Sequence, residues 1–597
     1  MANRLSPTSQ ARLWRALNFA QVLCGLCTLG LFALVLGFPL SESLRETVSL
    51  STRLILGMFA IQEVLRFAIV KKRAVHLRSR KIEALLAFIV GLELIFGEHI
   101  VTWVEGLGTG LSPSAITLLY LGGAQLTLLA ALALRGLRDN RWLNGRSLSP
   151  GLVLLLSFGA LIILGTLLFK TPHATLEGIS WVDALFVATS AVCVTGLSPV
   201  DVSTTFTPHG QWILLGLIQL GGLGIMTITY FFAYFIGGGV SLRNRIGLQD
   251  LLSEENLGQI GGVLAIIIAF TFGVELVGAV LIHASLSGNP DAPENLAFFA
   301  LFHSVSAFCN AGFSTLSDGL TDPRVADRPW FLGVIIPIVV LGGIGYPVVK
   351  NFWDYAVATL RRRLGLRLAN PPRLTANSRI VLVTTGLLLV GGTVLIWITE
   401  YFAGGHQAEA ASDSPWLTAF FFAASSRTAG FNVTPTGDLL PATAALMMFL
   451  MFIGGGPAST AGGIKTSTLA VAFLSLRRVL FGRRAIEVFG RSLPDDLANR
   501  ALSIIIVAVA FTTAVSVSLL ALHPELDSSD LVFEAVSAVA TTGLSCGVTA
   551  ELGDPAKIVL SAAMLIGRIG VLTFLISFIP RREPTGLRLP ETTIVLT

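Results

Sequence analysis

Four short apolar segments of one design recur along this chain: FVATSAVCVTGLS, FHSVSAFCNAGFS, FFAASSRTAGFN and FEAVSAVATTGLS. Their glycines, Gly196, Gly312, Gly430 and Gly543, lie about 115 residues apart, and each has a phenylalanine ten positions upstream (Phe186, Phe302, Phe420, Phe533). Long hydrophobic stretches flank every copy. One supersecondary unit is repeated four times, and four copies of helix, short helix, glycine turn and helix can close around a shared axis.

Composition places that axis in a membrane. Across 597 residues, 53% are hydrophobic and only 13% charged, with a mean hydropathy of +0.76, which excludes an ordinary soluble enzyme. Apolar runs long enough to span the hydrocarbon core recur over the whole length. The five cysteines (Cys24, Cys27, Cys193, Cys309, Cys546) are scattered, so neither a disulfide framework nor a metal site is indicated. Cys24 and Cys27 read as small residues of a first span, not as a ligand pair. The basic start leads into that span without a small-residue cleavage pattern, so it reads as a retained helix and not a signal peptide.

The net charge of +5 would suit nucleic acid, but the basic residues fall elsewhere. They cluster at Lys71–Arg73 with Arg78, Arg80 and Lys81, at Arg135–Arg146, at Arg243 and Arg245, at Arg361–Arg363, at Arg477–Arg484, and at Arg581 and Arg582. These clusters alternate with hydrophobic spans, the positive-inside pattern. Both termini are then cytoplasmic and the glycine turns open outward. The predicted spans are 14–38, 52–70, 82–104 and 114–135, then 151–170, 181–198 and 209–236, 258–284, 295–314 and 329–358, 378–403, 414–432 and 440–475, and 500–522, 529–545 and 555–580. The fold class expected is an all-α polytopic membrane protein of twelve spanning and four re-entrant helices. Non-helical backbone at membrane depth is tolerated only where protein buries it or water lines it, so the turns imply a shared aqueous axis. The expected units are 1–146 (four accessory helices), 147–246 (first repeat), 247–366 (second), 367–492 (third, with a broken inner helix) and 493–597 (fourth, with a short tail).

Each half-helix aims its negative C-terminal end at the axis, where a cation would exchange water for backbone carbonyls. Asp183 and Asp530 begin two of these helices and read as complements to the N-terminal dipole. Glycine is required where the turn needs backbone angles closed to other residues. The flanks alternate, Thr-Gly-Leu-Ser in the first and fourth copies and Ala-Gly-Phe in the second and third, so any oxygen cage is only pseudo-fourfold.

Small-residue clusters follow in the inner helices: Gly221-Gly222-Leu-Gly224, Gly342-Gly343-Ile-Gly345, Gly454-Gly455-Gly456-Pro457 and Gly567-Arg568-Ile-Gly570. The first two read as close helix packing. The third, GGGPASTAGG, must break its helix, giving a movable plug with Lys465 beside it. Arg568 lies about 20 Å of helix rise from Arg581, too far to snorkel out. It reads as a positive barrier below the turns or a partner of the broken-helix loop. Arg427 reads as a donor to the carbonyls of its own turn.

VTGLS, FCNAGFS, SRTAGFN and TTGLS, with IQLGGLGIMT, FIGGGPASTAGGIKTST and LIGRIGVLTF, closely resemble the Ktr/Trk/HKT superfamily of potassium transporters over about residues 150–580. The resemblance implies four M1-P-M2 units around one pore and potassium uptake, without enzymatic activity. It implies a filter at Val194, Thr195 and Gly196, at Cys309, Asn310, Ala311 and Gly312, at Thr428, Ala429 and Gly430, and at Thr541, Thr542 and Gly543, with K⁺ held there. It also implies a gate of Gly454, Gly455, Gly456, Pro457, Ala458, Ser459, Thr460, Ala461, Gly462 and Gly463 with Lys465 and Arg568. Members with serine in place of the first glycine tend to favour sodium, and this chain has Gly196. Relatives of the bacterial type form homodimers in the cytoplasmic (inner) membrane and dock on nucleotide-binding regulatory subunits of the RCK/KTN type. The chain departs from the pattern in residues 1–140, with four helices where members carry none or two. Glu63 with Arg66, and Glu93 and Glu98, lie in those apolar stretches.

Two rival readings remain at this level. Sodium or ammonium could pass the same pore, with Na⁺ also a candidate coupling ion. A polytopic membrane enzyme would need a converging nucleophile and base or metal-spaced histidines, and His209, His283 and His303 lack such spacing. No cofactor is expected.

Overall fold

The computed structural model describes residues 41–69, 150–237, 260–326, 328–365, 373–402 and 414–578, with scattered helical positions in 17–38. The predicted spans 82–104 and 114–135, with Glu93 and Glu98, lie outside the described residues, as do the side chains of Glu63 and Arg66. Of the N-terminal part, α1 (Glu42–Ile69) is a 28-residue helix that starts ten residues before the span expected at 52.

From residue 150 the main described helices fall into four groups, each with a long first helix followed by a short apolar one. α2 (Pro150–Phe169), α3 (Trp181–Val192) and α4 (Pro208–Gly237) form the first unit. α5 (Ile260–Leu286), α6 (Leu296–Cys309), α7 (Pro329–Ile344) and α8 (Tyr346–Arg363) form the second. α9 (Ala376–Phe402), α10 (Pro415–Ser425), α11 (Pro441–Phe452) and α12 (Thr466–Leu480) form the third, and α13 (Asp495–Leu522), α14 (Ser528–Ala540), α15 (Asp554–Ile569) and α16 (Val571–Phe578) the fourth. By length and apolarity, three helices among the described residues can cross a membrane, or up to five if each bent pair is one span.

The short helices α3, α6, α10 and α14 are the core of this arrangement. Each packs on the first helix of its own unit, and each also packs on the inner helix of the preceding unit: α15 on α3, α4 on α6, α7 on α10 and α11 on α14. The contact from the fourth unit back to the first closes the circle. Lys557 of α15 donates to Asp183 of α3 at 2.7 Å across that closing contact. The N-caps are chemically ordinary: Ser180 accepts from Asp183 N, Asn295 from Phe298 N and Asp527 from Ser529 N. Asp183 and Asp530 therefore sit in the first turn, as acids favoured by the dipole, with other residues as caps.

The inner-helix glycines set how closely these layers approach. A Cβ on Gly221, Gly342 or Gly567 would collide with the carbonyl of Val192, Phe308 or Val539 respectively. Each of those carbonyls lies four residues before a ring glycine, so small residues admit the end of the half-helix at the same point in three units. This is the close packing expected of the first two clusters, extended to the fourth.

Three expectations need correction. The second and fourth inner helices, expected to run unbroken over 329–358 and 555–580, bend by 105° and 89° at Gly345 and Gly570. Both glycines hold positive φ, 95° and 91°, a conformation that ends a helix and that β-carbon residues resist. The described chain is also not wholly helical, since Ile486–Val488 (β1) pairs antiparallel with Arg491–Leu493 (β2), turned by Phe489 and Gly490 at positive φ. Finally, Phe420 is only half-buried and Phe421 fills the core position, because Ser425 lies five residues before its glycine where Ser190, Ser306 and Ser537 lie six before theirs, which shifts the register of α10 by one residue.

Gly342→Ala should lower stability by about 1–3 kcal/mol through overpacking against the Phe308 carbonyl. Gly333→Ala on the same helix, where a Cβ meets nothing within 4 Å, should leave the thermal midpoint of the purified chain unlowered. Equal midpoints for the two variants would refute the packing argument.

Candidate ion filter and gate

The four turns share one backbone device. Val194, Asn310, Thr428 and Thr541, each two residues before a ring glycine, hold left-handed φ of 53°, 59°, 76° and 50°. Gly196, Gly312, Gly430 and Gly543 follow at 104°, 68°, 77° and 95°. The residues between, Thr195, Ala311, Ala429 and Thr542, are not left-handed. Alternating the sign of φ turns successive carbonyls toward one side of the strand, as a cation-binding nest of oxygens requires.

Hydrogen bonds at the helix ends enforce this shape. In units one, two and four the amides of Thr195, Ala311 and Thr542 reach back to the carbonyls of Ser190, Ser306 and Ser537 at 2.8, 2.7 and 2.8 Å. The preceding amides of Val194, Asn310 and Thr541 bond Ala191, Ala307 and Ala538, each at 3.1 Å. Paired bonds of this kind are a Schellman C-cap, and they stabilise the left-handed residue in place of the usual glycine. In unit three Ala429 N and Gly430 N both bond Ser425 O, at 2.8 and 3.3 Å.

The same serines add a side-chain bond that the sequence analysis did not single out. Ser190 and Ser537 accept from Gly196 N and Gly543 N, both at 3.0 Å. Ser306 and Ser425 instead donate to Phe313 O and Phe431 O, the former at 2.8 Å. This two-and-two division follows the alternation of Thr-Gly-Leu and Ala-Gly-Phe in the sequence. The signal was present, since a serine recurs near the same place in every copy.

The turns close a ring in chain order. A Cβ on Gly196 would strike Ala311 O, on Gly312 it would strike Ala429 O at 2.8 Å, on Gly430 Thr542 O, and on Gly543 Thr195 O. Each glycine thus abuts the carbonyl before the next glycine, and the fourth returns to the first. The buried hydroxyls of Thr195, Thr428, Thr541 and Thr542 make no hydrogen bond among the described residues. The side chains of Cys309 and Asn310 are engaged away from the ring. The Cys309 thiol faces Glu275 Oε1 at 3.9 Å, and the Asn310 amide donates to Ala307 O and Val339 O at 2.9 and 3.2 Å.

Against this ring lies the expected helix break. Residues 453–465 separate α11 from α12. The loop crosses to unit two, where Gly456 N bonds Gly343 O at 2.7 Å, Thr460 N bonds Gly342 O at 3.3 Å and Thr460 Oγ1 bonds Phe308 O at 3.1 Å. A Cβ on Gly462 would meet Thr541 Oγ1 and Ala540 O, directly behind the fourth turn. Ile453 and Ile464 join the two ends in a parallel bridge, and Ala458 takes a positive φ of 53°.

Three cations serve this loop through its carbonyls. Arg568, 6% exposed, donates from Nη1 to Thr460 O. Lys465 donates to Ala461 O at 2.6 Å. Arg427 donates to Gly454 O at 3.1 Å, and not to its own turn as expected, because α10's short C-terminus presents the guanidinium to the start of the loop. Arg568→Ala, removing a charge-assisted bond of about 1.5–3 kcal/mol, should speed amide hydrogen exchange across 455–463 by more than tenfold. Unchanged exchange would show that the bond does not hold the loop.

Residues 155–584 match the TrkH family, described as a cation transport protein. Among curated relatives, the Ktr system potassium uptake protein B of Vibrio alginolyticus is 36% identical over 444 residues, covering 74% of this chain and 94% of that protein. The potassium/sodium uptake protein NtpJ of Enterococcus hirae is 31% identical over 461 residues, 76% of this chain and 98% of that protein. Among solved structures, the potassium transporter TrkH of Vibrio parahaemolyticus superposes with a TM-score of 0.58 at 20% identity, covering 84% of this chain and 98% of that one. That likeness speaks to the fold, the sequence matches speak to descent, and together with four glycine turns closed into one ring they establish that the chain belongs to the TrkH family of cation transport proteins.

Proposed function

We propose that the chain takes up potassium across the cytoplasmic membrane through the ring at Gly196, Gly312, Gly430 and Gly543. The closure of that ring carries the reading. Four helix C-termini, each with roughly half a negative charge, converge on it, and its carbonyls and unpartnered threonine hydroxyls suit a cation that exchanges water for fixed oxygens. The relatives from Vibrio alginolyticus and Bacillus subtilis carry potassium uptake in their names.

The four units from residue 147 act as M1-P-M2 repeats, with 1–146 as an accessory helical part and both termini in the cytoplasm. The filter comprises residues 194–196, 309–312, 428–430 and 541–543. The loop 454–463 plugs the path below it, with Lys465 and Arg568 as a positive barrier held to the loop. A homodimer docked on an RCK/KTN-type nucleotide-binding subunit is the working assembly, in keeping with relatives named as parts of Ktr systems. The relative named for both potassium and sodium supports a second reading, in which Na⁺ also permeates or couples; Gly196 speaks for potassium.

Radioactive rubidium uptake into liposomes holding the purified chain should be competed by K⁺ and not by Na⁺ or NH₄⁺. Gly196→Ser should erase that discrimination. Competition by Na⁺ equal to that by K⁺ in the native chain would favour the second reading. Shortening 454–463, or Arg568→Ala, should raise uptake severalfold with ion preference unchanged, and unaltered flux in both would sink the gate.

A further inference from the structure

Two buried titratable side chains in the half-helices stand apart from both the ring and the loop. His303 on α6 and Glu534 on α14 are each fully buried, and each lies nine residues before its ring glycine. Each reaches the serine two residues after that glycine. His303 Nε2 lies 3.0 Å from Ser314 Oγ, and Glu534 Oε1 accepts from Ser545 Oγ. Because His303 Nδ1 lies 2.9 Å from Phe299 O, a group that only accepts, the neutral ring carries its proton on Nδ1 and Nε2 accepts from Ser314.

The two serines do the same work in the outer mouth. Ser314 Oγ accepts Leu316 N at 3.0 Å, and Ser545 Oγ accepts Gly547 N at 2.9 Å. The serine therefore closes the turn that follows the ring, and the buried side chain fixes the serine. Glu534 Oε1 also accepts Thr549 Oγ1 at 2.9 Å, which holds one further point of that segment. His303 reaches across to the neighbouring turn as well, stacking on Phe431, the residue after Gly430, at 6.5 Å between centroids.

Units one and three lack the device. Counted from the serine of each half-helix, three residues before Ser190, Ser306, Ser425 or Ser537, the matching positions are Val187 and Phe422. In unit one the corresponding serine, Ser198, turns its hydroxyl to the local Val200 carbonyl at 2.6 Å, and in unit three the position is Asn432. The ring closes in chain order, so units two and four are diagonal partners. One diagonal is tied from behind and the other is not.

We propose that His303–Ser314 and Glu534–Ser545 are paired positioning tethers that fix the width of the ring along one diagonal, and so contribute to which cation it holds. This rests on the reading of the ring as a potassium filter. A tether of this kind acts through the serine, leaving the ion-facing oxygens untouched. Its effect falls on discrimination, because a cage that can relax along one axis adapts to a smaller ion.

The test is rubidium uptake competed by K⁺ and Na⁺ in liposomes, for the full chain and its variants. Ser545→Ala and Glu534→Leu should each lower the K⁺ over Na⁺ preference by about three- to tenfold, the range open to one hydrogen bond. The double variant should be no worse than either single, as expected for two ends of one interaction. Glu534→Gln, which keeps an acceptor oxygen, should restore most of the preference. Ser314→Ala and His303→Leu should behave in the same way. If the leucine variants do not fold, the two serine variants and Glu534→Gln decide alone. Preference unchanged in Ser314→Ala and Ser545→Ala, in a chain whose native form discriminates, overturns the tethers and leaves the filter standing. A native chain without discrimination overturns the filter reading and the tethers with it.

Discussion

The structure depends on the absence of four Cβ atoms at one place. Gly196, Gly312, Gly430 and Gly543 each lie against the backbone carbonyl that precedes the next glycine, and no side chain fits in that gap. Bringing four segments so close requires four half-helices to end at a common point. The inner-helix glycines provide it, since Gly221, Gly342 and Gly567 let helices ride directly on the carbonyls of Val192, Phe308 and Val539. The price is strain: a left-handed residue with a β-carbon costs about 1–2 kcal/mol, and each turn carries one. The C-capping bonds and the serine hydroxyls offset it locally.

The second organising feature is how buried positive charge is held. Arg427, Lys465 and Arg568 all donate to carbonyls of one loop, at Gly454, Ala461 and Thr460. A buried carboxylate partner would be left bare if the loop moved, at a cost of several kcal/mol. A released carbonyl is neutral and adds no second bare charge to that of the cation. Carbonyl partners therefore suit the gating role proposed for this loop, and its run of glycines leaves the backbone free of side-chain restriction.

The ring is fourfold in outline and lower in detail. The serines divide the units into one and four against two and three, by the direction of their side-chain bonds. His303 and Glu534 divide them again, two and four against one and three. Unit three departs furthest, with a shorter half-helix, an arginine in its turn and a broken inner helix. Each departure places a chemically different group behind an otherwise common backbone.

The helical class, the glycine turns and the helix break at 454–463 were legible in the sequence because each is a local matter. Periodic apolar runs specify helices, glycine specifies unusual backbone angles, and GGGPASTAGG cannot continue a helix. The bends at Gly345 and Gly570 were not legible, because the same glycine clusters in an apolar helix also serve close packing without a break, as Gly221 and Gly222 do within α4. The target of Arg427 was equally hidden, since its carbonyl partner lies 27 residues away in sequence. The closing ion pair of Lys557 with Asp183 spans 374. The sequence alone thus determined which backbone shapes were available and how many times each occurs. Tertiary structure decided which carbonyl, cation and hydroxyl would meet, because those contacts join distant segments whose separation is fixed only when the four units pack into a circle.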